Sequence, residues 1–448
     1  MNLKTFHTVF FIGIGGIGMS AIARYFLANG KKVGGFDKTS TTITTLLQKL
    51  GAEIHFKDAV RNIPHHFLDV ENTLVVYTPA IPHKHLEYTY FLEQGFNVQK
   101  RAAVLGGITK NTFCLAVAGT HGKTTTSAIL GHLMKSSKAT SFLGGIAENY
   151  NSNLILGEGE VTVVEADEFD RSFLQLSPNI ACVTSMDADH LDIYGNDSVL
   201  KDAFFAFANK VSDVLIVAKG IPLRGLTYAV EEPADYKAFN LSIKKGTYIF
   251  DVKTPSEILK EVELHLPGRH NVMNALAAIA MASVYGVPLI EIKKSLKKFK
   301  GVQRRFSYKI KTDDLVLIDD YAHHPTEINA VINSVREMYP TEKVLGIFQP
   351  HLFTRTRDFV DDFATSLGKF DELFLLDIYP ARELPIKGVS SSWLLDKIDL
   401  ELKKIISKNE VLINIKKSSA KVIVMMGAGD IGILINDVVN EITKSVKV

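Results

Sequence analysis

Three glycine-rich turns constrain the fold of this 448-residue chain more than any other feature of its sequence. They are GIGGIG at residues 13–18, GTHGKTT at 119–125 and GAGDIG at 427–432. Each turn follows a short apolar run and precedes a stretch with helical spacing of its apolar residues. A strand, a glycine turn and a helix in this order are typical of the parallel sheets of α/β proteins. The sequence therefore predicts an α/β fold, and three sheets, one per domain, are the simplest arrangement that holds three such turns.

The order of the strand-like runs also places the domain boundaries. We expect breaks at residues 109–111, before the strand of the second turn, and at 301–305, after a basic helix. The predicted domains are therefore 1–109, 110–303 and 304–448. The most apolar helix is predicted around 274–290. Strands are predicted at 8–14, 32–36, 73–78, 112–118, 161–166, 180–185, 214–218, 316–318, 344–349, 372–377 and 421–426.

Composition excludes several classes of protein. Hydrophobic residues at 46% and charged residues at 22% are ordinary globular usage, which argues against a disordered or fibrous chain. The 51 basic and 49 acidic residues leave a net charge of +2, so no strong field favours nucleic acid or an anionic membrane as a partner. Cys114 and Cys182 lie in apolar runs, which predicts buried free thiols. With no signal-peptide pattern and no apolar stretch of about 18 to 20 residues, we expect a cytoplasmic protein.

The first and third turns differ in what they can bind. In the first, the pattern Gly13-x-Gly15-x-x-Gly18 with Asp37 at the end of the next predicted strand matches a dinucleotide fingerprint. A helix N-terminus with close glycine backbone accepts any diphosphate, however, so NAD and a UDP-sugar both remain possible. Only 16 residues follow Gly432, too few for a helix and the strand that carries a ribose-binding carboxylate. The third turn is therefore interpreted as a tight strand-to-helix connection.

The second turn predicts ATP binding. Its lysine, Lys123, is placed to reach the β- and γ-phosphates, and the hydroxyl of Thr124 is placed to bind Mg²⁺. The spacing differs from the common phosphate loop, because Ala118 stands where a glycine is usual and the glycine follows one position later. The residues expected to contact ATP in this turn are Gly119, Thr120, His121, Gly122, Lys123, Thr124 and Thr125.

Acidic residues follow the next two predicted strands, at the sheet edge that carries the ATP turn. Glu165, Asp167 and Glu168 end one strand, and the segment MDADHLDIY at 186–194 ends the other. They are either solvated turns or metal ligands, and the phosphate loop at the same edge favours ligands. We expect Glu165 and His190 to be the first choices for Mg²⁺.

Polar residues further along the chain predict contacts with the base and with a second substrate. Asn271, in the segment PGRHNVMNALAA, either caps a helix or recognises adenine through its amide. The segments DDYAHHPTE at 319–327 and PHLFTRTRD at 350–358 each follow a predicted strand. Because ligands of open α/β sheets bind at the carboxyl ends of the strands, these two segments predict a second-substrate site.

Taken together, the motifs resemble those of the Mur ligases, the ATP-dependent amino-acid ligases of peptidoglycan synthesis. The resemblance covers the whole chain and rests on ten segments in order: GIGGIGMS, RAAVL, AVAGTHGKTTT, VEADEFDRSF, DADHLDIYG, LPGRHNVMNALAA, GVQRRF, DDYAHHPTE, FQPHLFTRTRDF and GAGDIG. It implies a Rossmann-like UDP-binding domain, a central ATPase domain with a mostly parallel sheet, and a C-terminal Rossmann-like domain that closes on the substrates.

Within the family, the chain is similar to the branch that joins L-alanine to the lactyl carboxylate of UDP-N-acetylmuramate. The implied reaction uses ATP and Mg²⁺, passes through an acyl phosphate, and releases ADP and phosphate. The resemblance implies a monomer or weak homodimer, with UDP-N-acetylmuramate and L-alanine as substrates. It also assigns roles to individual residues, four of which, Lys123, Glu165, His190 and His323, are expected to be catalytic.

The other implied roles fall into three groups. The UDP diphosphate is expected at Gly15, Gly16, Ile17, Gly18 and Arg101. Beyond the phosphate loop, ATP is expected to contact His270, Asn271, Asn274, Arg305 and Asp320, and the metal is expected at Thr124, Glu165 and His190. The amino acid is expected near Tyr321, His323, His351 and Arg355.

Two positions depart from patterns in the wider family. Many relatives carry Arg where this chain has Leu352, so one charged contact on the substrate side is absent. Other Mur ligases carry a carbamylated Lys where this chain has Phe205, which is expected of the alanine-adding branch.

Three other functions remain as alternatives. They are a peptide-recycling murein ligase, a nucleotide-gated binding protein without ligase activity, and an NAD-dependent oxidoreductase with an accessory ATPase domain.

Overall fold

The computed structural model describes all residues except 1, 2, 4, 83, 188–193, 195, 245, 382, 447 and 448. The described residues form three sheets, in agreement with the predicted three-domain α/β fold. The chain also divides into two compact units, the first made of residues 1–241, 249–263 and 273–300, and the second of 242–248, 264–272 and 301–448. The first unit therefore contains the first sheet and most of the second sheet.

The first sheet is parallel and has the order β3-β2-β1-β4-β5. Its central strand, TVFFI, is buried on both faces, which explains its continuous apolar sequence. The strand ends at residue 12, earlier than predicted, because Gly13 adopts a φ of +88° and turns the chain. The elements are β1 Thr8–Ile12, α1 Ile17–Ala28, β2 Lys32–Phe36, α2 Thr42–Lys49, β3 Glu53–His55, β4 Thr73–Tyr77, α3 Leu86–Glu93, β5 Asn97–Lys100 and α4 Arg101–Thr109.

The second sheet has ten strands in the order β15-β14-β13-β12-β11-β10-β6-β9-β7-β8. Its strands are β6 Phe113–Ala118, β7 Thr140–Ala147, β8 Ser152–Ile155, β9 Val161–Glu165, β10 Ile180–Val183, β11 Val214–Ala218, β12 Leu226–Val230, β13 Tyr236–Lys244, β14 Thr247–Lys253 and β15 Ile258–Leu264. The helices are α5 Lys123–Leu133, α6 Asp197–Ala208, α7 Arg269–Tyr285 and α8 Leu289–Leu296.

One helix prediction in this region is wrong. A single helix was expected around 274–290, but α7 begins at Arg269 and ends at Tyr285. Gly286, with a φ of +105°, follows the end of α7, and Pro288 caps the start of α8. A left-handed glycine and a proline are ordinary helix terminators, so the apolar run crosses a helix boundary. Cys114 and Cys182 are buried free thiols in the paired strands β6 and β10, as predicted.

The third sheet has the order β16-β17-β21-β18-β19-β20, with only β16 antiparallel to its neighbour among the pairs described. Separate apolar clusters cover its two faces. No helix in the described part of the chain is long and apolar enough to cross a membrane. The elements are β16 Ser307–Lys311, β17 Val316–Asp320, α9 Pro325–Met338, β18 Val344–Phe348, α10 Phe353–Asp358, α11 Val360–Leu367, β19 Glu372–Leu375, α12 Ser391–Lys397, β20 Lys403–Ile405, α13 Val411–Lys417, β21 Val422–Met426 and α14 Ile431–Val446.

Candidate active site

The GIGGIG turn connects β1 to the N-terminus of α1. The backbone N–H of Gly15 donates to Oδ2 of Asp37 over 2.7 Å, and a Cβ at Gly15 would lie only 2.8 Å from the same oxygen. A side chain at residue 15 would therefore have to displace the carboxylate of Asp37. Gly16 caps α1, and Ile17 and Gly18 form its first turn. The amide groups of a helix start, together with the helix dipole, favour a bound anion at this edge of the sheet.

Arg101 connects the GIGGIG turn to the carboxylates of the second sheet. It is the first residue of α4, and its Nη1 would lie 2.7 Å from a Cβ at Gly18. Its Nη2 lies 3.7 Å from Oδ2 of Asp167, in the loop that follows β9. The structure thus places Arg101 beside the predicted diphosphate turn, and it also brings in Asp167, which was not assigned a role.

The GTHGKTT turn connects β6 to α5 and is held by residues that follow β10. Gly119 has a φ of +134°, and a Cβ there would lie 2.1 Å from Oγ1 of Thr184. The N–H of His121 donates to Oγ of Ser185 over 2.7 Å, and Oγ1 of Thr120 lies 2.9 Å from the same hydroxyl. Ser185 was missed by the sequence analysis, because its role depends on β10 lying beside β6.

Lys123 begins α5 and forms a buried ion pair with Glu168. Its Nζ donates to the carbonyl of Gly119 over 2.6 Å and lies 2.7 Å from Oε2 of Glu168. Burial would lower the pKa of Lys123, but Glu168, Asp167 and Glu165 outweigh burial and raise the pKa to about 12. The lysine is therefore charged at neutral pH. Glu168 has a fully buried side chain, so the alternative that this loop is only a solvated turn is wrong.

Thr124 and Glu165 form the candidate metal site. Oγ1 of Thr124 donates to Oε1 of Glu165 over 3.0 Å, while Oε2 accepts from the N–H of Gly144 over 3.0 Å and from Oγ of Ser127 over 3.3 Å. Asp189, His190 and Asp192 lie outside the described residues, so the expected ligand His190 is untested. Among the residues that are described, no group of three or more His, Cys, Asp or Glu side chains forms a metal site.

The predicted adenine-binding residues lie at the start of α7. Asn271 does not cap this helix, because α7 begins two residues earlier, and its Nδ2 instead donates to the carbonyl of Pro267 over 2.6 Å. In the first unit, Oδ1 of Asn274 accepts a hydrogen bond from Oγ1 of Thr126 over 3.3 Å. A Cβ at Gly122 would lie 2.5 Å from the same Oδ1 of Asn274. Asn274 therefore packs against the phosphate loop.

His270 belongs to the second unit. Its Nδ1 lies 3.5 Å from Oγ of Ser334, on α9. Desolvation lowers the pKa of His270 to about 4, and the nearby charge of Arg305 acts in the same direction. The imidazole is therefore neutral at physiological pH and can both donate and accept a hydrogen bond.

Asp320, Tyr321 and His323 form a cluster at the carboxyl end of β17, and Arg305, which precedes the antiparallel strand β16, lies beside them. The guanidinium carbon of Arg305 lies 5.1 Å from the ring centre of Tyr321. The carboxylate of Asp320 accepts from the N–H groups of Phe306 and Ala322 over 2.6 and 2.7 Å. Burial raises the pKa of Asp320 to about 7, although Arg305 and the two N–H groups oppose the shift. Nδ1 of His323 lies 2.9 Å from the carbonyl of Tyr321.

His351 and Arg355 follow the neighbouring strand β18 and extend this cluster. The rings of His351 and His323 have centres 6.0 Å apart, and His351 stacks on Tyr379 at 5.8 Å. Arg355 is buried, with 7% of its surface exposed. Leu352 is buried and has a φ of +71° with ψ of 134°, a conformation that is strained for a residue other than glycine. The structure thus brings Tyr321, His323 and His351 together.

The third glycine turn is occupied by a side chain of the protein itself. Oε1 of Gln349 accepts from the N–H of Ile431 at the start of α14 over 3.0 Å, and its Nε2 donates to Asp430 over 2.8 Å. A Cβ at Gly429 would lie 2.4 Å from Oε1 of Gln349. The amide of Gln349 therefore takes the place that a phosphate would need, in agreement with a structural strand-to-helix turn.

Sequence profiles of three domains match the chain in order. They are "Mur ligase family, catalytic domain" at residues 8–112, "Mur ligase middle domain" at 117–282 and "Mur ligase, glutamate ligase domain" at 304–431. The UDP-N-acetylmuramate–L-alanine ligase of Flavobacterium psychrophilum is 59% identical over 446 residues, which is 99% of each chain.

Solved structures share the whole fold. The UDP-N-acetylmuramate–alanine ligase of Thermotoga maritima has a TM-score of 0.83 at 29% identity, covering 98% of this chain and 99% of its own. A murein peptide ligase of Psychrobacter arcticus has a TM-score of 0.72 at 22% identity, covering 97% and 98%. At that identity the second likeness concerns the fold alone.

Proposed function

The chain belongs to the Mur ligase family of ATP-dependent amide-bond-forming ligases, and from this premise we propose that it joins L-alanine to the lactyl carboxylate of UDP-N-acetylmuramate. The products are UDP-N-acetylmuramoyl-L-alanine, ADP and phosphate. Identity of 59% over nearly the full length to an L-alanine ligase favours this function over the peptide-recycling alternative.

The proposal rests mainly on the loop 165–168, which contacts residues beside the starts of two helices, α1 and α5. Each of these helix starts is a candidate anion site. The N-terminus of α1, which would take the UDP diphosphate, lies beside Arg101, and Arg101 reaches Asp167 over 3.7 Å. Two residues before Asp167, Glu165 accepts the hydroxyl of Thr124 in the ATP turn. A UDP-linked carboxylate and the γ-phosphate of ATP would then meet above the loop 165–168. An NAD-dependent oxidoreductase with an accessory ATPase domain would bind two nucleotides but would not need their sites to share one loop.

The chemistry explains why both anion sites are needed. A carboxylate resists attack by an amine because its two oxygens share the negative charge. Transfer of the γ-phosphoryl group to the lactyl carboxylate gives an acyl phosphate, whose phosphate then leaves when the amine of L-alanine attacks the acyl carbon. Lys123 neutralises charge on the transferring group, and the two helix starts hold the reactants in place.

Mg²⁺ fits the pair formed by Thr124 and Glu165. Magnesium prefers oxygen ligands, and a hydroxyl beside a carboxylate supplies two of them. Oγ1 of Thr124 and Oε1 of Glu165 are hydrogen-bonded to each other over 3.0 Å, and a bound metal would replace this contact. We propose that these two residues, with His190, hold the metal, which when bound supplies positive charge to the phosphates of ATP.

L-Alanine is assigned to the cluster at the carboxyl ends of β17 and β18. The buried guanidinium of Arg355 suits the carboxylate of the amino acid, since its planar donor groups match two carboxylate oxygens. We propose that His323, whose ring lies 6.0 Å from that of His351, takes the proton that the alanine ammonium group loses before attack. His270, Asn271 and Asn274 are proposed to contact adenine, with Arg305 and Asp320 also serving ATP.

Release of phosphate from ATP tests the reaction as a whole. It should require UDP-N-acetylmuramate and L-alanine together, because the first is the phosphoryl acceptor and the second releases the phosphate. Serine and glycine in place of alanine would measure the selectivity for the amino acid. Rapid ATP hydrolysis by the enzyme alone would contradict the ligase function. Slow ATP hydrolysis without ligation in the presence of both other substrates would favour the nucleotide-gated binding protein.

Three further expectations accompany the proposal. A reaction that consumes ATP is expected in the cytoplasm. The net charge of +2 gives no reason to expect nucleic acid or a membrane surface as a partner. We expect a monomer or weak homodimer, which sedimentation of the full chain would test.

A further inference from the structure

The hairpin formed by β7 and β8, residues 140–155, contacts both candidate phosphate sites. It lies at one edge of the second sheet, where β9, β7 and β8 are neighbours. The strands β7 and β8 are antiparallel, and their register shifts between Phe142 and Ala147. Between these two positions, four residues of β7, 143–146, stand opposite the single residue Asn153 of β8, an enlarged bulge that redirects the backbone of β7 locally. The hairpin therefore has a defined distortion in the strand that faces β9.

The bulge directs the backbone of β7 towards Glu165. The N–H of Gly144, inside the bulge, donates to Oε2 of Glu165 over 3.0 Å. A Cβ at this position would lie 2.4 Å from both carboxylate oxygens, so the backbone is packed directly against the carboxylate. One strand of the hairpin thus helps to orient the residue proposed to bind the metal.

The other strand holds the N-terminus of α1. Nδ2 of Asn153 donates to the carbonyl of Ile17 over 2.6 Å and to Oγ of Ser20 over 2.9 Å. Nη1 of Arg24 donates to Oγ of Ser152 over 2.6 Å. Asn153 is 4% exposed and Ser20 is 1% exposed. Buried polar groups are costly to leave without partners, so these bonds fix the position of the helix.

Apolar contacts support the polar ones. The ring centre of Tyr25, on α1, lies 5.5 Å from that of Phe142, on β7. The buried core that contains Phe26 of α1 also contains Leu154 of β8. The first turn of α1 is therefore attached to the hairpin by hydrogen bonds, and the middle of the helix is attached by packing.

We propose that Asn153 is a positioning residue that sets the start of α1, and with it the UDP diphosphate, at a fixed distance from the ATP and metal site through the β7–β8 hairpin. The inference rests on the proposed function. A displacement of reacting groups by about 1 Å can lower a rate by about 100-fold, so a rigid link between the two sites has a direct kinetic consequence. Asn153 acts through α1 and touches no substrate in this account.

Asn153→Asp is the most direct test, since it preserves the shape of the side chain but replaces the donor amide by a carboxylate oxygen facing the carbonyl of Ile17. Because the reacting groups would no longer be held at the right distance, we expect kcat to fall by about tenfold or more. Because the start of α1 itself shifts, we expect the KM for UDP-N-acetylmuramate to rise by about tenfold or more while the KM for ATP changes by less than about twofold. Calorimetric titration with UDP alone should show the same selective loss, and this readout stands even if the amino-acid substrate has been assigned wrongly.

Asn149 provides a matched control in the same hairpin. Its Nδ2 donates to the carbonyl of Lys298 over 2.8 Å and its Oδ1 accepts from the N–H of Lys300 over 2.7 Å, so it makes two bonds without contact to α1. Asn149→Asp should lower thermal stability without separating the two KM values. An equal rise in both KM values for Asn153→Asp, or an unchanged affinity for UDP, would overturn the proposal.

Ser20→Ala tests the same link if the Asn153 variant does not fold. It removes one acceptor of the Asn153 amide and leaves the bond to Ile17 intact. We expect a smaller rise, about threefold, in the KM for UDP-N-acetylmuramate, again with little change for ATP. Failure of the wild-type enzyme to ligate any amino acid would contradict the proposed function instead, and the UDP titrations would still decide the role of Asn153.

Discussion

Replacing Glu168 by Gln would measure how strongly the ion pair with Glu168 holds Lys123 in place when no ATP is bound. In the structure, Nζ of Lys123 lies 2.7 Å from Oε2 of Glu168, whose side chain is fully buried, while 13% of the lysine side chain is exposed. To reach the phosphates of ATP, the ammonium group has to leave this carboxylate. Glutamine keeps the shape and one acceptor oxygen but removes the charge, so it weakens the resting contact without emptying the site.

The size of the effect follows from the geometry. Two unit charges at the observed separation of 2.7 Å attract each other by about 6 kcal/mol at an effective dielectric constant of about 20. Desolvation of the buried carboxylate offsets much of this attraction, so we expect Glu168→Gln to lower the free energy of unfolding by about 2 kcal/mol. The same substitution removes a negative charge close to the incoming phosphates. We therefore expect ATP to bind about tenfold more tightly, which corresponds to about 1.4 kcal/mol.

Denaturant unfolding and calorimetric titration with a non-hydrolysable ATP analogue would measure the two effects on the same variant. Asp167→Asn is the matched control, because Asp167 lies in the same loop but contacts Arg101 instead of Lys123. The control should change ATP affinity less than Glu168→Gln does. Weaker ATP binding by Glu168→Gln would refute the reasoning, since it would mean that Glu168 supports the nucleotide or its metal directly.

Three further substitutions test other assignments. Lys123→Ala should slow phosphate release by about 100-fold or more, while UDP binding measured by calorimetry is retained; loss of both would indicate a damaged fold. Arg355→Lys should raise the KM for alanine about threefold or more, because a point charge replaces a planar donor; a raised KM for ATP alone would place Arg355 with the nucleotide. Burial raises the pKa of Asp320 to about 7, above its unfolded value of about 4, so the folded state retains a proton and stability falls as pH rises between these values. The free energy of unfolding should be lower at about pH 7.5 than at about pH 5 in the wild type but not in Asp320→Asn. An equal change with pH in both proteins would contradict the raised pKa of Asp320.

The sequence predicted the strands that are short continuous apolar runs, and it missed both edge strands and internal strands such as Tyr236–Lys244 and Thr247–Lys253. In Thr247–Lys253 buried and partly exposed residues alternate, so the strand contains no continuous apolar run. Strands such as FCLAVA are buried on both faces, so their continuous apolar sequence and the glycine after them mark both the strand and its end. Edge strands such as Glu53–His55 and Lys403–Ile405 are short and partly exposed, and only one side of each is paired. Such strands depend on the neighbouring strand for their conformation, and no local pattern distinguishes them from loops.

The residues of the candidate site also divide into those that the sequence indicated and those that it did not. Lys123, Thr124 and Glu165 could be chosen from the sequence because each stands at a strand end or beside a glycine turn. The contacts of Gly144 and Asn153 could not, since they depend on β7 lying beside β9 and on α1 packing against β8. Strand order is a property of the whole sheet. It brings together residues that are far apart in the sequence and share no motif that would predict their contact.

The spacing within the segment EADE shows how one short loop can serve several sites at once. Glu165, the last residue of β9, faces Thr124, and Asp167 and Glu168 contact Arg101 and Lys123 respectively. Ala166 is fully buried between them, and its N–H donates to the carbonyl of Val117 on β6, which fixes the loop to the strand that leads into the ATP turn. The three carboxylates of the segment, on either side of Ala166, therefore contact three different partners. The loop 165–168 therefore contributes, together with the β7–β8 hairpin, to the spacing of the proposed metal, UDP and ATP contacts, and a change in loop length would disturb all three contacts together.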